Sequence, residues 1–479
     1  MPYRKPPTCM GCPFYTTSEY FVPDVIRPHS SVALVAQNPG EAEEHGARIV
    51  KYEYGGSKRY EVTEQVRPQP LIGATGYALR THYWPLTQLG SVDDVSLLNV
   101  IKCRPYGKNE LPPIERVITR EAIKHCLSAH FKLPPAVKSI MALGQVSLFA
   151  LTRQKAVSTW RGYALSLVTT PYDGSLNESE QSTYYGRETI HAPGRVTVMP
   201  TLHIAALYKG SYDASSEGVD TGGNKRYMHA VLADFVKFGK LVRQEWPQAL
   251  PAIYHNTVPD VCPSLAAFDT EYHTDTGELI RWSLTDRHGV TYVCEADYRS
   301  DVTTMVERKV KIVAQNLLAD LPYLVQILPP HALSGLDDTM LAHSVLWTGE
   351  PHSLDYILSI YGSLNRHKHL ATTGNSDTDI LYSGLDSYTT LIDAWQGMLK
   401  EFKRDPLSWQ VYKKYRLPLL GIINRAESKG IATDKTRLTM VQELFTQRMA
   451  QLQSTGRQLM EDEMFNLGSQ KQVAKVVYT

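Results

Sequence analysis

The chain has 479 residues, enough for two to four domains. Hydrophobic residues make up 43% and charged residues 21%, and the formal net charge is +1, so no global basic field announces a nucleic-acid binder and any such surface must be local. No apolar run approaches the roughly 20 residues that cross a bilayer, the opening Met-Pro-Tyr-Arg-Lys lacks a signal-peptide core, and six cysteines in so long a chain argue for a reducing, cytoplasmic setting over a disulfide framework.

Taken in order, residues 1–245 alternate apolar strands with helical segments. Strands are expected at Val32–Ala36, Val95–Ile101, Ser139–Leu143 and Arg195–Met199, and helices at Ala78–Leu89, Ile114–Phe131, Gln145–Leu151 and Lys225–Val242. Such alternation predicts an open, mostly parallel α/β sheet with helices on both faces. The stretch Arg48–Val62 reads as a basic, Tyr-rich hairpin turning at Gly55-Gly56, either a DNA contact or a solvated face. Loop-like insertions span Pro171–Ala192 and Gly210–Gly223. A Pro-containing connector, residues 246–264, leads to a second block, 265–403, which opens with strands Leu265–Asp269, Ile280–Thr285 and Thr291–Glu295 before helices dominate. Residues 404–479 read as almost wholly helical, with a turn at Ser428-Lys429-Gly430.

Two constellations carry chemistry. In the first, Val32–Ala36 runs into the turn Gln37-Asn38-Pro39-Gly40, and ligands bind at the carboxyl ends of strands in open α/β sheets. Cys9-x-x-Cys12, Cys103 and Cys126 offer four thiolates, suited to zinc or a [4Fe–4S] cluster; the alternative is core cysteines beside a chance pair.

The motifs around them are Cys9-Met-Gly-Cys12-Pro13, Val35-Ala-Gln-Asn-Pro-Gly-Glu-Ala-Glu-Glu-His-Gly46, Pro70-Leu-Ile-Gly-Ala-Thr-Gly76, Leu98-Asn-Val-Ile-Lys-Cys-Arg-Pro105, Ala142-Leu-Gly144, Trp160-Arg-Gly162 and Met199-Pro-Thr-Leu-His-Ile-Ala-Ala206. In this order they resemble the iron–sulfur (family 4-like) uracil-DNA glycosylases, over roughly residues 7–242. The resemblance implies that Cys9, Cys12, Cys103 and Cys126 hold a structural [4Fe–4S] cluster. It implies a base pocket in which Asn38 positions water, Asn99 reads the uracil edge through a donor and an acceptor, and His203 donates to the base's developing negative charge. Gln37 replaces the family's usual carboxylate, Leu71 stands where an aromatic ring stacks on the base, and His203-Ile-Ala replaces His-Pro-Ser. Two readings follow: uracil excision, or a degenerate pocket that grips DNA without cutting.

In the second constellation, Asp269-x-Glu271 places two carboxylates on one face of a strand. Asp320 follows Asn316 in a helical context, and Tyr382-x-x-x-Asp386 puts a phenol and an acid one helical turn apart. Four acids suit two divalent ions, Mg²⁺ or Mn²⁺, for phosphodiester hydrolysis, with Tyr382 orienting the water. Together with Asp338-Thr-Met-Leu341 and His352-Ser-Leu-Asp-Tyr-Ile-Leu358, the set resembles the DEDD-type 3′–5′ exonucleases in their Tyr variant, an RNase H-like α/β domain. That likeness implies Asp269, Glu271, Asp320 and Asp386 as metal ligands. Asn316 is either a contact to the substrate strand or a structural amide.

Finally, Leu417–Asp434 and Phe465-Asn-Leu-Gly-Ser-Gln-Lys-Gln472 resemble the start of the thumb of phage-type family A DNA polymerases. No palm carboxylates follow before Thr479. The expectation is a DNA-binding proofreading exonuclease of a replication and repair system in a bacterial host. It would serve a separate polymerase half and would not polymerise alone; the alternatives are a non-catalytic DNA-binding assembly subunit, or a chain that is primarily a uracil-DNA glycosylase.

Overall fold

A computed structural model describes residues 3–55, 58–176, 196–208, 227–259, 263–296, 309–328, 330–368, 370 and 376–477. The chain forms two compact units, Met1–Leu417 and Pro418–Thr479.

The larger unit contains two main sheets. The first has the strand order Ser96–Asn99, Val32–Ala36, Ser139–Leu143, Thr197–Thr201, Leu165–Ser166. All its pairings are parallel except the last. Every residue of Val32–Ala36 is buried, because period two sends Val32, Leu34 and Ala36 into one core and Ala33 and Val35 into another. The first core includes Phe235 and Phe238 of the helix Met228–Val242. The second includes Phe149 of the helix Gln145–Thr152 and Cys126 of the helix Val117–Ala129. Helices on both faces of a mostly parallel sheet were expected, and are observed.

The second sheet runs Ile253–His255, Thr291–Glu295, Leu279–Asp286, Leu265–Tyr272, Val310–Ala314, Leu333–Asp338. Its three central pairings include two antiparallel ones, and the last two strands join in parallel. This is a mixed α/β arrangement with a helical segment after it in the chain.

Several boundaries differ from expectation. Helices do not simply dominate after Glu295: Val310–Ala314 and Leu333–Asp338 extend the sheet, the second despite a glycine and two aspartates, because parallel pairing to its neighbour outweighs local propensity. The strand expected at Val95–Ile101 is Ser96–Asn99. The helix expected over Ala78–Leu89 starts at Ala74, widens into a π-helical turn over Leu79–Tyr83 and tightens to 3₁₀ at Trp84–Thr87, where Pro85 lacks an N–H. Ile114–Phe131 shortens to Val117–Ala129, and the strand expected at Arg195–Met199 is Thr197–Thr201. The hairpin forms as Ala47–Gly55 against Lys58–Gln65; its turn, Cys262, and nearly all of the two long insertions lie outside the described residues. The connector supplies the edge strand Ile253–His255.

A polar seam joins the two sheets' layers. The fully buried Arg161 pairs with Asp234 at 2.6 Å and donates to Ser359 Oγ at 2.6 Å. Lys237 Nζ reaches the carbonyl oxygen of Ser359 at 3.1 Å. Tyr163 donates to the carbonyl of Asp355, Asn365 bonds both backbone groups of Ala164, and Trp246 donates to the carbonyl of Gly362.

In the smaller unit, the helices Lys435–Met460 and Gln470–Val477 flank a turn in which Phe465 is buried. The side chain of Gln453 and Arg457 Nε both donate to the carbonyl of Phe465. Many large apolar side chains of the long helix remain exposed, among them Leu438, Met440, Leu444, Phe445 and Met449.

Candidate active site

Asp269 and Glu271 lie on the strand Leu265–Tyr272, and Asp386 on the helix Ser376–Tyr388 that crosses it. One carboxylate oxygen from each of these three falls within 4.8 Å of the others. Asp320 sits in the first turn of the helix Leu317–Ile327. Its Oδ1 accepts from the N–H (3.0 Å) and hydroxyl (2.5 Å) of Thr270, the residue between the two strand acids. Asp338 fixes this arrangement from behind: its two oxygens accept from the N–H groups of Leu317 (2.7 Å) and Leu341 (2.9 Å), so one carboxylate ties down the starts of two helices.

Electrostatics mark the nest as unfinished. Burial pushes Asp269 well above the ordinary carboxylate range, and Asp320, Asp386 and Glu271 push it further, against Lys368. Burial and then Asp386 raise Glu271 to about 7. Burial raises Asp320 to about 7, opposed by its bonds from Thr270. Asp269 Oδ2 is buried without a hydrogen-bond partner. Crowded oxygen donors with an orphaned buried oxygen suit hard divalent cations such as Mg²⁺ or Mn²⁺.

Two basic groups complete the nest. His367 Nε2 stands 2.8 Å from Asp386 Oδ1, and Lys368 donates to the Tyr382 hydroxyl at 2.5 Å. Neither was singled out by motif reasoning; the signal was the basic run Arg366-His-Lys-His369 ahead of Tyr-x-x-x-Asp. Burial and then Asp386 push the Tyr382 phenol upward, so it keeps its proton at neutral pH. Asn316 has left-handed backbone (φ 60°) at the start of its helix, with an exposed side chain.

The first sheet carries a separate cleft of about 800 Å³, lined by Gln37, Asn38, Leu71 and His203 among others. The Asn38 amide is held by backbone, donating to the carbonyls of Pro39 (3.0 Å) and, from a distant loop, Asn109 (3.3 Å). Gln37 Oε1 accepts from Val146 N–H at 3.3 Å. Gly144, at φ +89°, leaves room for this: a Cβ there would stand 2.8 Å from Gln37 Nε2 and 3.0 Å from His203 Cβ. Burial lowers His203 to about 4, leaving a neutral imidazole. Leu71 has left-handed backbone (φ 59°). Its N–H donates to Glu43 Oε1 at 2.6 Å and its carbonyl accepts from Arg80, while Glu43 Oε2 accepts from Gly40 N–H at 2.8 Å. Glu43, which sequence reasoning passed over, thus ties the Gly40 turn to the Leu71 loop. Asn99 is not among the residues lining the cleft. It lies one strand over, beside Ala36, fully buried, with both amide atoms unpartnered.

Cys9, Cys12, Cys103 and Cys126 are all free and buried. Cys12 is lowered to about 6, chiefly by its hydrogen bond from Cys126, which is raised in turn. Burial, then the neighbouring Cys103, raises Cys9 to about 11. Among the described residues no three of these sulfurs lie within 4.8 Å of one another. Tetrahedral zinc would hold thiolates about 3.8 Å apart.

No helix among the described residues is long and apolar enough to cross a membrane. No protein-family model and no curated protein matches the chain. Solved structures similar to parts of it include Brucella melitensis NrnC with bound Mg²⁺, at 15% identity over 38% of this chain and 98% of that one, with a TM-score of 0.30. Escherichia coli RNase D, an exoribonuclease, is 15% identical over 34% of this chain and 46% of its own, with a TM-score of 0.28. The POL domain of Pol1 from M. smegmatis, in complex with DNA primer-template and dNTP, is 17% identical over 44% of this chain and 36% of its own, with a TM-score of 0.29.

Proposed function

We propose that the acidic nest removes nucleotides from the 3′ ends of DNA by hydrolysing the terminal phosphodiester. The observation that carries this reading is the convergence of Asp269, Glu271 and Asp386 around the unpartnered Asp269 Oδ2. Three mutually repelling carboxylates in a core are costly, and a bound cation is one way to compensate them. Asp269, Glu271, Asp320 and Asp386 would hold two divalent ions, which supply positive charge for the attacking water and the leaving 3′ oxygen. Tyr382, kept protonated and anchored by Lys368, holds the water by hydrogen bonding and does not itself remove the proton. His367 keeps Asp386 aimed at the nest. Asp269→Ala should abolish Mg²⁺-dependent release of mononucleotides from 3′-labelled single-stranded DNA; unchanged release refutes the assignment.

A second activity is favoured by Asn99. A fully buried amide with neither atom paired is costly unless a ligand completes it. In this reading the first sheet binds DNA and admits uracil, Asn99 reads the base edge, Asn38 turns from the Pro39 and Asn109 carbonyls to hold water, and neutral His203 donates to the base. Cys9, Cys12, Cys103 and Cys126 would anchor a structural [4Fe–4S] cluster, supported by their burial, free state and mutual influence. A uracil-containing oligonucleotide in chelator should yield abasic sites, and Asn38→Ala should stop this. Bound but uncut DNA would leave the gripping role alone. The exposed apolar residues of Lys435–Met460 support a polymerase partner for the smaller unit.

A further inference from the structure

The face of the second sheet that carries the acidic nest continues past it to a side chain that neither proposed activity uses. On the strand Leu279–Asp286, Thr285, Ser283 and Arg281 share one face by the two-residue period. Their cross-strand partners on Leu265–Tyr272 are Ala267, Asp269 and Glu271, so Asp269 lies opposite Ser283 and Glu271 opposite Arg281. The helix Ser376–Tyr388 covers that row: Ser283 Oγ donates to the carbonyl of Ser383, and Thr285 Oγ1 meets Ser387 Oγ, each at 2.9 Å. Arg281 therefore stands at the end of the row, one strand over from Glu271, on the face that the helix of Tyr382 and Asp386 crosses.

Its guanidinium is enclosed and unsatisfied. Arg281 is 9% exposed. Among the described residues, its Nε and Nη1 are buried without a hydrogen-bond partner. Its Nη2 stands 3.7 Å from Glu295 Oε1, beyond hydrogen-bond reach, and that oxygen also faces His255 Nε2 at 3.3 Å. Burial and then Asp386 raise the Glu271 carboxyl, and Arg281 is among the charges that oppose the rise. A guanidinium keeps its charge at any working pH and offers five N–H donors in a planar fork. Left buried with no hydrogen bond it is costly, and its fork matches two oxygens of a phosphate. With Glu271 committed to a cation, that fork is left for an anion.

We propose that Arg281 holds a phosphate of the substrate strand, the second linkage from the 3′ end; this rests on the nuclease reading. The scissile phosphate belongs over the carboxylates of Asp269, Glu271 and Asp386. Arg281 is displaced from them by one strand spacing, about 4.8 Å, so it serves a different phosphate. The scissile linkage is the last in the strand, and the nearest other one is therefore the second. A contact made away from the reacting bond is equally strong before and during the reaction, so it lowers KM and leaves kcat unchanged.

The test measures Mg²⁺-dependent release of the first nucleotide from 3′-labelled single-stranded DNA by the full chain, as wild type, Arg281→Met and Arg281→Lys. One strand is all phosphate; a second carries a neutral methylphosphonate at the second linkage. Arg281→Met should raise KM about 10-fold or more, with kcat within about 2-fold of wild type. It should also flatten the fall of log(kcat/KM) with log[salt] by about one contact's worth, a slope change of roughly 0.7. Arg281→Lys, which keeps the charge and loses the fork, should lie between. The methylphosphonate should cost the wild type a similar factor and cost Arg281→Met nothing more. Arg281→Met gives up no hydrogen bond and should melt no lower than the wild type, which verifies its fold. Unchanged KM and salt slope in Arg281→Met, beside normal release by the wild type, would overturn the proposal and leave Arg281 as a counter-charge to Glu271 and Glu295, with the nuclease reading intact. A methylphosphonate that costs the wild type nothing would overturn it without any variant. Absence of release by the wild type would overturn the nuclease reading and this inference together.

Discussion

Asp269→Asn separates stability from catalysis. The substitution keeps shape and removes one negative charge from the nest. Two unit charges 4.8 Å apart repel by about 3 kcal/mol at an effective dielectric near 20. Asp269 faces two such neighbours, but partial protonation limits the sum. In chelator at pH 8, Asp269→Asn should therefore be more stable than the wild type by about 3 kcal/mol, a Tm gain of several degrees. The sign with pH follows: these carboxyls bind protons more tightly folded than unfolded. The nest's contribution to wild-type stability is therefore greatest below the ordinary carboxylate range, falls as pH climbs toward 7, and levels off above. The variant should flatten that fall. With magnesium the ranking reverses, because the wild type gains cation binding that the variant has lost. Nucleotide release should drop by at least about 10³-fold, some 4 kcal/mol of barrier. Thermal melts with chelator or magnesium, beside a 3′-end-labelled release assay, measure both effects. A variant that melts below the wild type in chelator, or still releases nucleotides at the wild-type rate, refutes the reasoning.

Three further outcomes are expected. Asn99→Leu removes two unpartnered buried polar atoms at similar volume, so it should raise stability by about 1–3 kcal/mol while eliminating abasic product from uracil-containing DNA; melts and a strand-cleavage assay check it. Asp234→Ala strands the buried Arg161 charge and should cost about 3–5 kcal/mol in denaturant melts, with Arg161→Met/Asp234→Leu recovering most of the loss. Anaerobically purified wild type should carry iron and inorganic sulfide in equal amounts by elemental analysis, and Cys126→Ser should carry far less of both; zinc in place of iron would exclude the cluster.

Legibility in the sequence followed the range of the interactions. Val32–Ala36 could be read because a strand covered on both faces has to be apolar throughout. Asp269 and Glu271, and Tyr382 and Asp386, could be paired because strand and helix periods fix their faces locally. Thr270 as the donor to Asp320 could not, since the two stand 50 residues apart. Nor could Glu43 reaching Leu71, 28 residues on, or Asp338 tying two helix starts. Leu333–Asp338 carries a weak strand pattern and is a strand because its neighbour is one. Asn99 was chosen for its chemistry, but its enclosure away from the open cleft depends on how the sheet is covered.

The way Arg161, Lys237 and Trp246 reach across to the helix Leu354–Tyr361 and the residue after it bears on how this protein can be divided. A greasy contact could be cut and re-covered with any apolar surface. Here the donors are matched to particular acceptors at fixed positions, so severing the chain near residue 246 would bare a guanidinium, an ammonium and an indole that no solvent-adapted surface was shaped to receive. Either piece expressed alone should be prone to precipitate. Swapping one piece for another protein's should fail unless Ser359 and its neighbours travel with it.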